Sequence, residues 1–183
     1  MRRFRLGSAA PLAAVAIGLA GCGSAVKAPE ASGAPVSVYA AGSLREALTT
    51  IAAAHEARTG QRIVLTFGAS GLLRERIEQG EPAQVFASAD TEHPRRLAAG
   101  GGWQAPVVFT RNALCALTTD RLDATPDTLL ATLLRADVRV GISTPRSDPA
   151  GDYAWALFGK ADAVQAGATA ALRAKAKPLT GAA

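Results

Sequence analysis

The pattern of apolar residues between Val36 and residue 105 switches repeatedly from the period of a strand to the period of a helix. A first strand-like run, "VSVY", is followed by Leu44, Leu48 and Ile51, whose spacing of four and three puts them on one helix face. The alternation returns in "RIVLTF", "LLRERIEQG", "QVFASA" and "TEHPRRLAAGG". The order β-α-β-α-β-α is typical of a parallel sheet with helices on its faces. We therefore expect an α/β fold, with residues 36–105 forming a first lobe.

A second α/β lobe is expected over residues 106–183. The run "VVFTRNALCAL" at 107–117 predicts one or two strands, and "VRVGIST" at 138–144 predicts another. A helix is predicted at "TPDTLLATLLRA", with Thr125 as its N-cap and Pro126 at its first helical position. Two more helices are predicted, one from near Ala150 and one over "DAVQAGATAALRAKAK".

The N-terminus has the layout of an export signal. Three arginines precede an apolar stretch, which ends in small residues before Cys22. The ending "LAGC" resembles the lipobox of bacterial lipoproteins, which implies that residues 1–21 are a lipoprotein signal peptide and that Cys22 is lipidated. Residues 22–35 are rich in Ala, Gly, Ser and Pro, and are predicted to be a flexible tether. The expected location is outside the cytoplasm, periplasmic or at the cell surface, with the lipid holding the chain to a membrane. The alternative is an ordinary signal cut elsewhere, with Cys22 as an unused thiol.

Charge and cysteine content narrow the classes of function. The chain has 20 basic and 15 acidic residues, and three of the basic ones lie in the signal, so the mature net charge falls from +5 to +2. A nucleic-acid-binding protein needs a clustered basic face, so we expect no nucleic-acid partner. With Cys22 lipidated, Cys115 has no disulfide partner, and its apolar neighbours favour a small buried side chain.

Three predicted turns join small residues to the start of a helix: "AAGSL", "FGASG" and "DPAGDY". Free N–H groups and partial positive charge at helix N-termini make an anion site without lysine or arginine. Ser43, Ser70 and Ala150 are the candidate residues of that site. Each also has a structural interpretation. Ser43 with Glu46 fits a capping box, Ser70 fits a plain N-cap, and Ala150 is a good helix former.

A serine hydrolase is a third possibility, because "GASG" after a strand is similar to a nucleophile elbow. That motif needs glycine where this chain has Leu72. The two histidines, His55 and His93, are both interpreted as structural. The sequence shows no metal-ligand spacing and no phosphate loop. We therefore expect no enzyme, no metal and no cofactor.

Taken together, "VYAAGSLREAL", "FGASGLLRERIEQGEPAQVFASAD" and "SDPAGDYAWALF" resemble the molybdate-binding proteins of bacterial ABC transporters, in order and in separation. The resemblance implies a type II periplasmic-binding-protein fold whose two lobes close around molybdate or tungstate. It assigns oxyanion ligands to Ser43, to Ser70 and to the backbone N–H of Ala150, so molybdenum is held only as the oxyanion. It also implies a monomer that delivers its ligand to a transporter permease.

The sequence departs from this family in three places. Gly42 stands where the family usually has alanine, and Gln84 stands in a segment where it usually has aspartate. Family members also continue well past the position of Ala183, through a segment that supplies a further backbone donor and a tyrosine ligand. Tyr39 and Tyr153 lie in other segments. The expectation is an incomplete second lobe and return segment, and the alternative function is a truncated member that cannot bind its ligand.

Overall fold

The computed structural model describes residues 33–180 and has an α/β fold, as expected. The predicted signal, most of the tether and Cys22 lie outside the described residues. The strands are β1 (Val36–Ala41), β2 (Ile63–Gly68), β3 (Val85–Ala87), β4 (Gly141–Ser143) and β5 (Lys177–Thr180). The α-helices are α1 (Arg45–Thr59), α2 (Ser70–Glu78), α3 (Glu92–Ala99), α4 (Leu129–Leu134), α5 (Pro149–Phe158) and α6 (Ala168–Lys175). Short 3-10 turns lie at Gly42–Leu44 and Ala161–Ala163.

The N-terminal unit, from β1 to α3, contains a three-stranded sheet in the order β2-β1-β3 with both pairs parallel. Side chains alternate across β1. Tyr39 packs with α2 and α3 on one face, and Val38 and Ala40 pack with Leu48 of α1 on the other. The predicted arrangement, with helices on both faces, is therefore present in this unit.

The C-terminal unit consists of α4, β4, α5, α6 and β5. Its two strands pair in parallel, and Val140, Phe158 and Leu172 belong to its apolar core. The apolar pattern did not predict β5, because "KPLT" is short and has no clear period of its own. The division at residues 105 and 106 stays a prediction.

The segment from 107 to 117 forms no strand, contrary to the sequence prediction. Val107 is 83% exposed and Leu117 fully so, and Cys115 is exposed rather than buried. A strand needs a neighbour for its backbone N–H and C=O groups. None of the described strands pairs with this segment.

Two helix details also differ from expectation. Ala52 is buried in α1, whereas Ile51 is 58% exposed, because the buried line of this helix advances by fours from Leu48. Thr125 does not cap α4. It accepts a backbone hydrogen bond from the N–H of Thr128 in a turn, and the helix begins at Leu129. No helix among residues 33–180 is long and apolar enough to cross a membrane.

Candidate functional site

The carboxyl ends of the three parallel strands of the N-terminal unit lie at one edge of their sheet. Ala41 is paired with Gly68 on β2, and Ala40 with Ala87 on β3. Three residues therefore leave the sheet at similar levels, each two positions past a strand end: Ser43, Ser70 and Ala89. Ligands bind at this edge in open α/β sheets, because strand ends and helix starts leave backbone groups free there.

A cavity of about 220 Å³ opens at this edge and is closed on its other side by the start of α5 and by residues 112–114. The three residues predicted from the sequence, Ser43, Ser70 and Ala150, all line this cavity, although they come from turns far apart in the sequence. The lining consists of Ala41, Gly42, Ser43, Gly68, Ser70, Ala89, Asn112, Ala113, Leu114, Asp148, Ala150 and Tyr153.

Ser43 is exposed and lies in the 3-10 turn that follows β1. The predicted capping box with Glu46 is wrong, because Leu44 is the N-cap of α1 and no side chain caps this helix. The inserted 3-10 turn moves the start of α1 to Arg45, so Ser43 is no longer at the position from which a serine reaches the first free N–H groups. Ser43 thus lines the cavity without a capping role.

Ser70 is only 1% exposed and is the first residue of α2, so it is not the N-cap; that position is Ala69. Its Oγ accepts a hydrogen bond of 3.1 Å from the backbone N–H of Ala89. A hydroxyl that accepts one bond still has its own proton to donate. Ser70 is thus held in place by the end of β3 and can donate into the cavity.

Ala150 lies at the start of α5, but its N–H already has a partner. It donates to Oδ1 of Asp148, the N-cap of this helix, at 3.1 Å. Pro149 occupies the first helical position, where its missing N–H costs nothing. Sequence reasoning missed Asp148, although an aspartate directly before a proline at a helix start is a recognisable capping signal.

Tyr153 joins the two units. It lies one turn after Ala150 on α5, and its hydroxyl donates to the carbonyl oxygen of Ala89 at 3.1 Å. Tyr153 lies in another segment than the tyrosine ligand that the resemblance implies, but its spacing of three from Ala150 puts both residues on one helix face. Burial, together with the negative charges of Asp90 and Asp152, raises the pKa of Tyr153.

Neither histidine lines the cavity. His55 lies on α1 within 3.3 Å of an Arg58 nitrogen, and His93 is buried in α3 with both ring nitrogens lacking a hydrogen-bond partner. Ser70 thus has no imidazole base beside it in this part of the chain. Residues 33–180 also contain no group of three or more metal-ligating side chains.

The structure resembles solved periplasmic binding proteins. A periplasmic molybdate-binding protein from Azotobacter vinelandii matches with a TM-score of 0.53 and 20% identity, over 79% of this chain and 62% of that one. The sulfate-binding protein SubI from Mycobacterium tuberculosis H37Rv matches with a TM-score of 0.61 and 16% identity, over 81% and 58%. At these identities the likeness establishes the fold, which is that of the periplasmic binding proteins.

Sequence comparisons give the family. The protein PM1146 from Pasteurella multocida (strain Pm70) is 39% identical over 145 residues, which are 79% of this chain and 60% of that protein. The molybdate-binding protein ModA from Azotobacter vinelandii is 33% identical over 88 residues, which are 48% and 35% of the two chains. The chain thus spans less than two thirds of the curated relatives it matches. These matches confirm the resemblance seen in the three turn segments. A family model described as "Bacterial extracellular solute-binding protein" matches residues 36–183, and the chain therefore belongs to that family of solute-binding proteins.

Proposed function

We propose that this protein captures a tetrahedral oxyanion, molybdate or tungstate, outside the cytoplasm for an ABC importer. One observation carries the proposal: Ser43, Ser70 and Ala150, from three separate turns, line one cavity between the two units. The ligand is held at two serine hydroxyls and at the N-terminus of α5.

The donors in this cavity suit an anion. A hydroxyl of Ser70 that already accepts from Ala89 is polarised toward donation, because hydrogen bonds in a chain strengthen one another. The N-terminus of α5, a helix of 10 residues, adds the partial positive charge of its dipole. Neither contribution requires a metal or a cofactor.

The choice of molybdate over other oxyanions rests on the relatives. The 33%-identical ModA is a molybdate-binding protein by name, whereas the sulfate-binding SubI shares the fold at 16% identity. Tungstate has the same shape and charge as molybdate and is proposed alongside it.

Export and anchoring complete the proposal. Residues 1–21 serve as a lipoprotein signal and Cys22 as the lipidated residue that holds the chain to a membrane. The chain acts as a monomer that delivers its ligand to a transporter permease. Mass spectrometry of the mature protein tests the anchor, because an acyl mass on Cys22 disappears in Cys22→Ser.

Isothermal titration calorimetry with molybdate tests the ligand and its site. We expect Ser43→Ala to weaken binding roughly ten- to a hundred-fold, since a hydrogen bond to a charged group contributes about 1.5–3 kcal/mol. Ser70→Ala is expected to weaken it at least as much. Ser37→Ala, at the opposite end of β1 from the cavity, is the matched control and should bind like the wild type.

Two results would contradict the proposal in different ways. If the wild type gives no heat with molybdate, tungstate or sulfate, the chain is the binding-incompetent alternative. If it binds molybdate but both Ser43→Ala and Ser70→Ala keep the wild-type affinity, binding occurs elsewhere and the assigned site is wrong.

A further inference from the structure

The cavity contains one charged side chain among its described lining residues, and that side chain is negative. Asp148 lines the cavity together with Ser43, Ser70 and Ala150, and the described lining includes no lysine, arginine or histidine. A carboxylate in a site for anions demands an explanation, because like charges at close range repel.

The Asp148 carboxylate also occupies one of the donors that an oxyanion would use. Its Oδ1 accepts the hydrogen bond of the Ala150 N–H, so the start of α5 already holds an anion. For the helix this is ordinary stabilisation, since aspartate is among the best N-caps. An oxyanion ligand must therefore compete with the Asp148 carboxylate for the Ala150 N–H.

Other carboxylates add to the negative charge around the cavity. Asp152 on α5 accepts from the backbone N–H of Arg146, and Asp90 follows β3. Burial, followed by the charges of Asp90 and Asp152, raises the pKa of the Tyr153 phenol, which lines the cavity. Of these three carboxylates, Asp148 is the one that lines the cavity.

We propose that Asp148 is a specificity-determining residue that ranks oxyanions by whether they carry a proton. This inference rests on the proposed oxyanion function and names the residue that tunes it. A fully deprotonated anion must displace the carboxylate from the Ala150 N–H and bear its repulsion. An oxyanion with one proton donates that O–H to the carboxylate, which can only accept, while its other oxygens accept from Ser43 and Ser70.

The substitution that isolates this effect is Asp148→Asn. Asparagine caps helices about as well as aspartate and has nearly the same shape, so the start of α5 is kept while the charge is removed. Asp152→Asn is the matched control, because that carboxylate lies on the same helix but outside the cavity lining. Thermal unfolding of both variants verifies that they fold.

The affinities of wild type and both variants are measured by calorimetry with molybdate, sulfate and hydrogen phosphate at neutral pH. Sulfate and hydrogen phosphate are similar in size and differ in the proton, so their ratio separates protonation from ligand size. We expect Asp148→Asn to bind molybdate and sulfate about ten-fold or more tighter than the wild type. The variant removes the repulsion by Asp148, and the ligand no longer competes with a charge-assisted hydrogen bond for the Ala150 N–H. Hydrogen phosphate should gain less or become weaker, and Asp152→Asn should leave the ratio unchanged.

Three results would overturn the inference. Molybdate affinity that stays the same or falls in Asp148→Asn would do so while leaving the proposed function intact. An equal gain for all three anions would reduce the role of Asp148 to plain repulsion. No binding of any anion by the wild type or by Asp148→Asn would remove the proposed function and the inference with it.

Discussion

The junction between the two units depends on the absence of a side chain at Gly71. Its N–H donates to the carbonyl oxygen of Ser147 at 2.9 Å, which joins the start of α2 to the loop before α5. A Cβ built on Gly71 would lie 2.6 Å from that oxygen and 2.7 Å from the carbonyl oxygen of Arg146. Both contacts are with backbone, which cannot rotate away as a side-chain end can. Gly71→Ala must therefore push the loop and the helix apart.

The expected cost follows from three terms. Overpacking a close contact costs about 1–3 kcal/mol. Loss of the hydrogen bond to Ser147 adds about 0.5–1.5 kcal/mol. Alanine recovers up to about 1 kcal/mol through its higher helix propensity. The net loss is about 0.5–4.5 kcal/mol in the free energy that holds the two units together. Since Gly71 follows Ser70, the displacement also moves a cavity hydroxyl.

Urea unfolding and molybdate calorimetry on the same preparations measure this loss. Gly42→Ala is the matched control, since a Cβ there meets nothing within 4 Å, and we expect its stability to stay within about 0.5 kcal/mol of the wild type. Gly71→Ala should show a lower unfolding free energy, or weaker molybdate binding if the units separate before they unfold. Wild-type stability together with wild-type affinity in Gly71→Ala would refute the assigned close contact.

Two further predictions concern polar contacts. Hydrogen bonds from Arg76 and Tyr39 hold the pKa of Glu81 below its ordinary value of 4.5. The ionised carboxylate therefore contributes its full stability at pH values above 4.5, and this contribution is lost as the pH falls through the lowered pKa. Unfolding curves from neutral to acid pH should therefore fall less steeply for Glu81→Gln, and an unchanged acid slope would contradict this. Tyr153→Phe removes the hydrogen bond to Ala89 between the units and should lower the unfolding free energy by about 1 kcal/mol in urea titrations, whereas equal stability would show that this bond contributes nothing.

Features that depend on local sequence were predictable. The strand and helix periods gave β1 to β3 and the helices that follow them, and "RTG" marked the end of α1, where Gly60 adopts a left-handed conformation with φ of 72°. The three turns were found from small residues before helix starts, and the structure brings their candidate residues to one cavity.

Features that depend on distant partners were not predictable. The apolar run at 107–117 has strand composition, yet it pairs with none of the described strands, whereas the less apolar "KPLT" becomes β5 because β4 lies beside it. Tyr153 is fixed at the site by its hydrogen bond to the carbonyl oxygen of Ala89, a contact between residues 64 positions apart. Propensity in strands reflects such surroundings more than intrinsic preference.

The two serines at the strand ends differ in what they do for the fold, and this difference bears on function. Ser70 is buried and accepts the N–H of the partly buried Ala89, so its replacement removes the partner of that N–H and disturbs structure and binding together. Ser43 is exposed and caps no helix, although the sequence predicts a capping box with Glu46 there. Helix stability therefore gives no reason for a serine at position 43. A ligand that needs a hydroxyl donor at the sheet edge would explain a serine there. Ser43 is therefore the residue at which binding can be measured separately from folding.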